Sequence, residues 1–145
     1  MDKILILHGP NLNLLGRRET AVYGTLSYDD LNDRLIAVGK ELDQEIRIQQ
    51  SNHEGELIDA LHDSSQWASG VILNPGGYTH TSIALRDAVS ALEIPVIEVH
   101  MSNIFAREKF RHRSFISPVA AGTIAGFGWQ SYVLGIQALV RIKMS

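Results

Sequence analysis

The chain contains no cysteine, little excess charge and no long apolar run. The absence of cysteine excludes disulfides, thiolate zinc sites and cysteine nucleophiles. Thirteen Lys and Arg residues against 16 Asp and Glu residues give a formal charge of -3, without the basic surplus of nucleic-acid-binding proteins. No apolar run reaches the roughly 18 residues that span a membrane, and no signal-peptide pattern opens the chain. We therefore expect a cytoplasmic protein that binds neither nucleic acid nor membrane.

Several motifs of well-known chemistry are also missing. The sequence has no G-x-x-x-x-G-K-[ST] phosphate loop, no G-x-G-x-x-G dinucleotide loop and no G-x-S-x-G nucleophile elbow. Its six histidines form neither H-x-x-x-H nor H-E-x-x-H, so no metal site is predicted. The densest basic stretch, residues 107–113, is short and contains an acid, and would suit one small anion rather than a polyanion.

What the sequence does contain is an alternation of strand-like and helix-like segments. Short apolar or alternating runs predict five strands, at 3–8, 45–50, 70–74, 95–99 and 122–127. Apolar residues at helical spacing predict helices after Ser27, after Ser51, over about 81–92, and around Tyr132 and Ile136. This order predicts an α/β fold with a flavodoxin-like open five-stranded parallel sheet and helices on both faces. The 145 residues suit one domain over 1–145 and are too few for a barrel, which typically needs about 250.

Polar residues cluster where the predicted strands end, which is where open α/β sheets bind ligands. The segment from His8 to Gly24 follows the first strand and belongs to the longest connection in the chain. Such long connections are usually functional lids or disordered segments. Two arginines and a tyrosine in this segment could cover an anionic ligand, so we predict a lid. The alternative is a mobile surface loop.

The connection after the third strand turns on Gly76 and Gly77 and then starts a helix. Free N–H groups at a helix start bind anions or hydroxyls, which would make this turn part of a binding site. The alternative is simple turn chemistry, with the helix capped by Thr79, Thr81 or Ser82.

Glu98 and His100 end the fourth predicted strand. Side chains two residues apart on a strand share a face, so these two should point the same way. A carboxylate beside a histidine fixes its tautomer and raises its basicity, as general acid–base catalysis requires. The alternative is a buried ion pair with a structural role only.

Short motifs of one known family recur in order along nearly the whole chain. They are Gly9-Pro-Asn-Leu-Asn-Leu-Leu-Gly16, Arg18-Glu19, Tyr23-Gly24, Asn74-Pro-Gly-Gly77, His80-Thr-Ser82, Leu85-Arg-Asp87, Ile97-Glu-Val-His100, Ser102-Asn103 and Ala106-Arg-Glu-x-Phe-Arg111. Together they closely resemble the type II 3-dehydroquinate dehydratases. Two residues depart from the family pattern: His8 stands where asparagine is usual, and Thr20 stands where proline commonly follows Arg-Glu.

The resemblance implies a hydro-lyase that removes water from 3-dehydroquinate to give 3-dehydroshikimate, by anti elimination through an enolate. It implies no metal and no cofactor. It also implies a homo-oligomer built of trimers, commonly a dodecamer. The step belongs to the shikimate pathway of aromatic amino acid biosynthesis and also to quinate catabolism.

The same resemblance implies roles for particular residues. Tyr23 is the base that takes the proton beside the ketone, and Arg18 favours its ionised form, since an opposite charge nearby stabilises a phenolate. Asn11 helps to hold the water or donor that faces the enolate oxygen. His100, oriented by Glu98, gives a proton to the departing hydroxyl. The residues expected to hold the substrate are Asn74, His80 and Arg111 at its hydroxyls, Ser102 and the Met101 backbone at its carboxylate, and Asp87 at a neighbouring subunit's site.

Two other functional classes stay open on the residues alone. A non-catalytic small-ligand-binding module would keep Arg111 and the Gly76–Gly77 turn but would not need Tyr23 together with Arg18. A structural or regulatory domain would use the same loops only as an interface. An ultraviolet assay for an enone product separates both classes from the enzyme.

Overall fold

A computed structural model describes residues 1–144 of the chain. The strands are β1 Asp2–His8, β2 Gln44–Gln50, β3 Gly70–Asn74, β4 Val96–His100 and β5 Gly122–Ala125. The α-helices are α1 Thr20–Tyr23, α2 Tyr28–Glu41, α3 Glu54–Ser64, α4 Ile83–Ala91 and α5 Gln130–Met144. Short 3-10 helices lie at Leu12–Leu14, Gly76–His80, Ile104–Ala106, Lys109–Arg111 and Ser117–Val119. No helix in this part of the chain is long and apolar enough to cross a membrane.

The strands form one parallel sheet in the order β2-β1-β3-β4-β5. This is the flavodoxin-like order, so the predicted fold class is confirmed. His8 at the end of β1 lies opposite Asn74 at the end of β3, and Leu73 lies opposite Glu98 of β4. The register therefore brings the polar ends of β1, β3 and β4 to one edge of the sheet.

Each face of the sheet has its own apolar core, because successive strand residues point to opposite faces. In β1, Ile4 and Ile6 pack into the core on the side of α2 and α5. Leu5 and Leu7 pack into the other core, which contains buried residues of α3 and α4. Helices therefore cover both faces, as the strand and helix alternation predicts.

Several element bounds differ from the predicted ones. The fifth strand ends at Ala125 rather than at residue 127, because Gly126 has φ +102° and leaves the extended conformation. The helix predicted over about 81–92 begins at Ile83, after a separate 3-10 helix and the capping residue Ser82. The segment predicted as a lid contains the short helix α1, which the sequence pattern did not predict.

Candidate active site

The carboxyl ends of β1, β3 and β4 open into a cleft of about 150 Å³. It lies at the switch point of the sheet, where connections from neighbouring strands leave in opposite directions. Nine of the eleven site residues predicted from the sequence line this cleft, namely Asn11, Arg18, Tyr23, Asn74, His80, His100, Met101, Ser102 and Arg111. Glu98 is buried and bonded to His100, and Asp87 is exposed on α4 and does not line the cleft.

The loops after β1 and β3 approach each other closely at the base of the cleft. The backbone N–H of Gly9 donates to the Asn74 carbonyl at 2.7 Å, and a Cβ on Gly9 would lie 2.6 Å from the Pro75 carbonyl carbon. Only glycine fits this approach. Asn11 follows with φ +70°, a left-handed conformation that asparagine tolerates, and its N–H donates to Asn52 Oδ1 at 2.9 Å. The backbone around Asn11 is thus held in place.

The Asn74 side chain is fixed by a buried hydrogen-bond chain. Its Nδ2 donates to the Tyr132 hydroxyl oxygen at 2.9 Å. His8 Nε2 donates to Asn32 Oδ1 at 3.0 Å, so Nδ1 is free to accept from Tyr132 at 2.9 Å. Burial lowers the pKa of His8 to about 4, which the Asn32 hydrogen bond only partly opposes. His8 is therefore neutral at pH 7 and joins Asn32 to Tyr132 at the end of β1.

Tyr23 ends α1 and contacts an arginine that the sequence reasoning left without a role. Arg107 Nη1 donates to the Tyr23 hydroxyl at 2.8 Å and to the Ser102 hydroxyl at 3.3 Å. The Arg107 side chain is only 12% exposed. Arg18 instead pairs with Glu19 at 2.6 Å while lining the same cleft. In this structure the cation on the Tyr23 hydroxyl is Arg107, not Arg18.

His100 and Glu98 form the predicted contact at the end of β4. His100 Nε2 lies 2.5 Å from Glu98 Oε2, and both side chains are buried. The hydroxyls of Ser114 and Ser117 each donate to the other carboxylate oxygen at 2.8 Å. Burial raises the pKa of Glu98, but the hydrogen bonds and charge of His100 and the two serine hydroxyls outweigh it and leave the pKa below its usual value. Because Nε2 is occupied, Nδ1 is the ring nitrogen available to a ligand.

His80 and Arg111 complete the polar lining of the cleft. His80 Nδ1 donates to the Arg113 carbonyl at 2.8 Å, which leaves Nε2 free for a ligand. Its ring stacks on that of His100 with centroids 6.5 Å apart. Desolvation lowers the pKa of His80, and the nearby charges of His100 and Arg111 act in the same direction. Arg111 Nε pairs with Glu108 at 2.9 Å.

The helix start after the Gly76–Gly77 turn is capped by the chain itself. Ser82 Oγ accepts from the Leu85 N–H at 2.9 Å, so one of the capping residues considered from the sequence is confirmed. The two glycines still line the cleft. Within residues 1–144, no group of three or more His, Asp or Glu side chains is arranged to hold a metal ion.

The sequence reasoning missed four residues of this site for different reasons. Arg107 lies in the family motif over residues 106–111 and in the basic stretch over 107–113, and both pointed to it without indicating what it does. Tyr132 was placed on the last helix as an apolar core residue, although its hydroxyl supports Asn74. Ser114 precedes the short 3-10 helix Ser117–Val119, which Ser117 begins, and no apolar periodicity in the sequence pointed to either serine.

Comparisons with known proteins identify the family to which this chain is similar. The model of the family described as Dehydroquinase class II matches residues 2–140. The chain is 56% identical over 138 residues to the 3-dehydroquinate dehydratase of Trichodesmium erythraeum. The match covers 95% of this chain and 92% of that protein. It is 54% identical over 142 residues to the 3-dehydroquinate dehydratase of Halothermothrix orenii, and the match covers 98% of this chain and 96% of that protein.

Solved structures give the same result. The type II dehydroquinase of Butyrivibrio crossotus superposes with a TM-score of 0.94 at 43% identity, covering 95% of this chain and 97% of that one. The type II dehydroquinase of Propionibacterium acnes superposes with a TM-score of 0.94 at 43% identity, covering 97% of both chains. With a family match over residues 2–140 and relatives above 50% identity over almost the full length, this chain belongs to the class II dehydroquinase family.

Proposed function

We propose that this chain is a 3-dehydroquinate dehydratase that forms 3-dehydroshikimate by anti elimination through an enolate, with Tyr23 as the base and His100 as the acid. The observation that carries the proposal is that the arginine-bound hydroxyl of Tyr23 and the carboxylate-paired ring of His100 line one cleft. Family membership supports the reaction, and this geometry supports the assignment of the two proton-transfer residues.

The reaction needs two proton transfers at different places. A base first takes the proton beside the ketone, which leaves an enolate. An acid then protonates the departing hydroxyl, so that water leaves and a conjugated enone forms. The proton taken and the proton given belong to different groups, and a cleft with one base and one acid on separate elements meets this need.

Tyr23 supplies the base because a cation contacts its oxygen. A neutral phenol is a poor base at neutral pH, and a nearby positive charge favours the phenolate. Arg107 donates directly to this oxygen, and it is itself mostly buried, so water screens the contact little. Arg18 adds a second positive charge to the cleft from the same segment as Tyr23.

Asn11 stabilises the enolate in this mechanism. Its backbone is locked at the base of the cleft, and its side chain is available to hold a water or donor that faces the enolate oxygen. A donor fixed before the reaction stabilises developing charge without reorganisation.

His100 supplies the acid through Nδ1. Its other nitrogen bonds to Glu98, which fixes the tautomer and the orientation of the ring. Substrate hydroxyls are held by Asn74, His80 and Arg111, which line the same cleft. Ser102 and the Met101 backbone take the substrate carboxylate.

The proposed assembly is a dodecamer built of trimers, in which Asp87 reaches the site of a neighbouring subunit. The exposure of Asp87 on α4, outside its own cleft, is compatible with a role in another subunit. Sedimentation of the purified protein with and without substitutions at Asp87 would separate an assembly role from a site role.

The proposed reaction is tested by incubating the purified protein with 3-dehydroquinate and following the ultraviolet absorbance of the conjugated product. We expect absorbance to rise with wild-type protein and the rise to be abolished in the Tyr23→Phe variant. No product above background would overturn the proposal and favour a non-catalytic binding module. Activity should persist after prolonged treatment with EDTA and with borohydride in the presence of substrate.

A further inference from the structure

The carboxylate of Glu98 is held by two serine hydroxyls from the connection between the 3-10 helix Lys109–Arg111 and β5. Ser114 and Ser117 both donate to Oε1 at 2.8 Å, whereas His100 contacts Oε2. Neither serine lines the cleft, so neither can touch a substrate there. Any influence they have on a reaction must pass through Glu98.

The direction of the Ser114 hydrogen bond is fixed by its other partners. Its oxygen accepts from the backbone N–H groups of Ile116 and Ser117, both at 3.0 Å. A hydroxyl oxygen has two lone pairs, and these two donors occupy both. The single hydroxyl hydrogen of Ser114 must therefore point to Glu98.

Ser117 is oriented in a similar way. Its oxygen accepts from the Thr123 hydroxyl at 2.9 Å, and its own hydrogen goes to Glu98 Oε1. With two donors aimed at it, Oε1 has no place for a proton of its own. The only place left for a proton within the pair is between Oε2 and His100 Nε2.

We propose that Ser114 and Ser117 are positioning residues for the dehydration, which keep Glu98 a pure hydrogen-bond acceptor and so keep the proton of the pair on His100. The proposal rests on the proposed function of His100 as the acid. With Glu98 unable to hold a proton at Oε1, Nε2–H stays bonded to Oε2. His100 then donates from Nδ1 to the departing hydroxyl, and its Nε2–H hydrogen bond does not change.

Ser117→Ala is the cleanest test, because Ser114→Ala would also leave the N–H groups of Ile116 and Ser117 without an acceptor. Loss of an outer partner of a functional group typically changes activity by 10–100-fold, as measured around metal ligands. We expect Ser117→Ala to lower kcat by about tenfold or more while KM changes less than about twofold. Ser117→Thr, which keeps the hydroxyl, should restore most of kcat.

Ser69→Ala provides the matched control. The Ser69 hydroxyl also donates to a partner in the folded chain, the Lys3 carbonyl at 3.1 Å, but it lies just before β3 at the opposite end of the sheet. The kcat of the Ser69→Ala variant should equal that of wild type. Thermal unfolding of each variant shows whether an activity loss reflects loss of folded protein.

A double substitution distinguishes a positioning role from a general structural one. If Ser117 acts through Glu98 on His100, adding Ser117→Ala to the His100→Ala variant should lower kcat by less than about twofold. A full tenfold loss in that background, or no loss in the enzyme that keeps His100, would overturn the proposal.

A second measurement does not depend on catalysis. The Nε2–H proton of the short His100–Glu98 hydrogen bond should give a downfield NMR resonance, which we expect to move in Ser117→Ala and not in Ser69→Ala. An unmoved resonance in Ser117→Ala would show that the serine does not hold the pair. Failure of wild-type protein to convert 3-dehydroquinate would instead refute the proposed function, whatever the resonance does.

Discussion

The two proposed proton-transfer residues stand on opposite kinds of structure. His100 ends a central strand, is 6% exposed and is bonded to a fully buried carboxylate. Tyr23 ends a four-residue helix that buries none of its residues, next to the Arg18–Glu19 pair, whose side chains are 39% and 37% exposed. The acid is thus built into the rigid sheet, while the base belongs to a surface segment.

This difference follows from how firmly a sheet strand and a short helix hold their side chains in place. A strand inside a sheet is held by neighbours on both sides, so it fixes side chains precisely. A helix of four residues is far shorter than an isolated helix can be in water, so α1 depends on contacts such as the one from Arg107 to Tyr23. If α1 becomes ordered only when the cleft closes, substrate can enter the open cleft without any movement of His100.

Removal of the base should have the largest effect. Tyr23→Phe keeps the ring and loses only the hydroxyl, so KM should change little while kcat falls by at least about 10²- to 10⁴-fold, the usual contribution of a positioned base. Exchange of the ketone-adjacent hydrogen with deuterated water, followed by NMR, should stop in this variant. Exchange at the wild-type rate would show that the phenol is not the base.

Removal of the acid should slow water loss while leaving proton abstraction intact. His100→Ala should lower kcat by about 10²-fold or more, because hydroxide then leaves without a proton donor. Tyr23 and Arg107 remain, so this variant should still exchange the ketone-adjacent hydrogen. Normal water elimination in His100→Ala would mean that the Glu98–His100 pair is structural, which is the alternative that the sequence alone left open.

The sequence predicted the part of this site on the sheet better than the part on the exposed segment. Apolar periodicity gave the sheet, and a spacing of two residues put Glu98 and His100 on one face, because strand geometry fixes that relation. No comparable rule relates Tyr23 to Arg107, which are 84 residues apart and meet only through tertiary packing. The family resemblance placed Tyr23 in the site and gave Arg18 the role of favouring its ionised form, but it gave Arg107 no role.

The supporting residues were out of reach for a related reason. Tyr132 follows the apolar pattern of α5, and the pattern does not distinguish a hydroxyl that bonds to Asn74 and His8 from a plain core ring. Ser114 and Ser117 lie where the chain has no period at all. Side-chain hydrogen bonds between distant segments are the part of the site that local sequence rules do not encode.

The buried floor of the site should make the fold sensitive to acid. An unfolded histidine takes up a proton below about pH 6.5, but folded His8 stays neutral until about pH 4. The free energy of unfolding should therefore fall by about 3 kcal/mol as the pH drops from about 6.5 to about 4. Glu98, whose pKa is lowered on folding, loses its contribution only below its unfolded value of 4.5.

Denaturant titrations of wild type and His8→Asn across this range would measure the effect. The variant has no histidine at position 8 to titrate, so its stability should decline by about 3 kcal/mol less over the same interval. The exposed His62→Asn variant is the matched control, because it also removes one histidine. Parallel stability curves for wild type and His8→Asn would contradict the burial argument.

The exposed segment should be open to protease in the free protein and covered when ligand is bound. Arg17 and Arg18 provide trypsin sites just before α1, and exposed loops are preferred sites of cleavage. A carboxylate-bearing substrate analogue that closes the segment should slow this cut by about tenfold at about ten times its Kd, because only the free fraction is then cleaved.

This last experiment has the smallest expected effect. It tests whether the segment that carries Tyr23 moves on ligand binding while the strand that carries His100 does not. Cleavage of a small chromogenic peptide under the same conditions checks that the analogue does not inhibit trypsin itself. The first cut should fall between about Leu15 and Tyr23, since β4 is hydrogen-bonded to β3 on one side and to β5 on the other. Equal cutting with and without saturating analogue would mean that Tyr23 is presented by a preformed surface, and that the segment is not a lid.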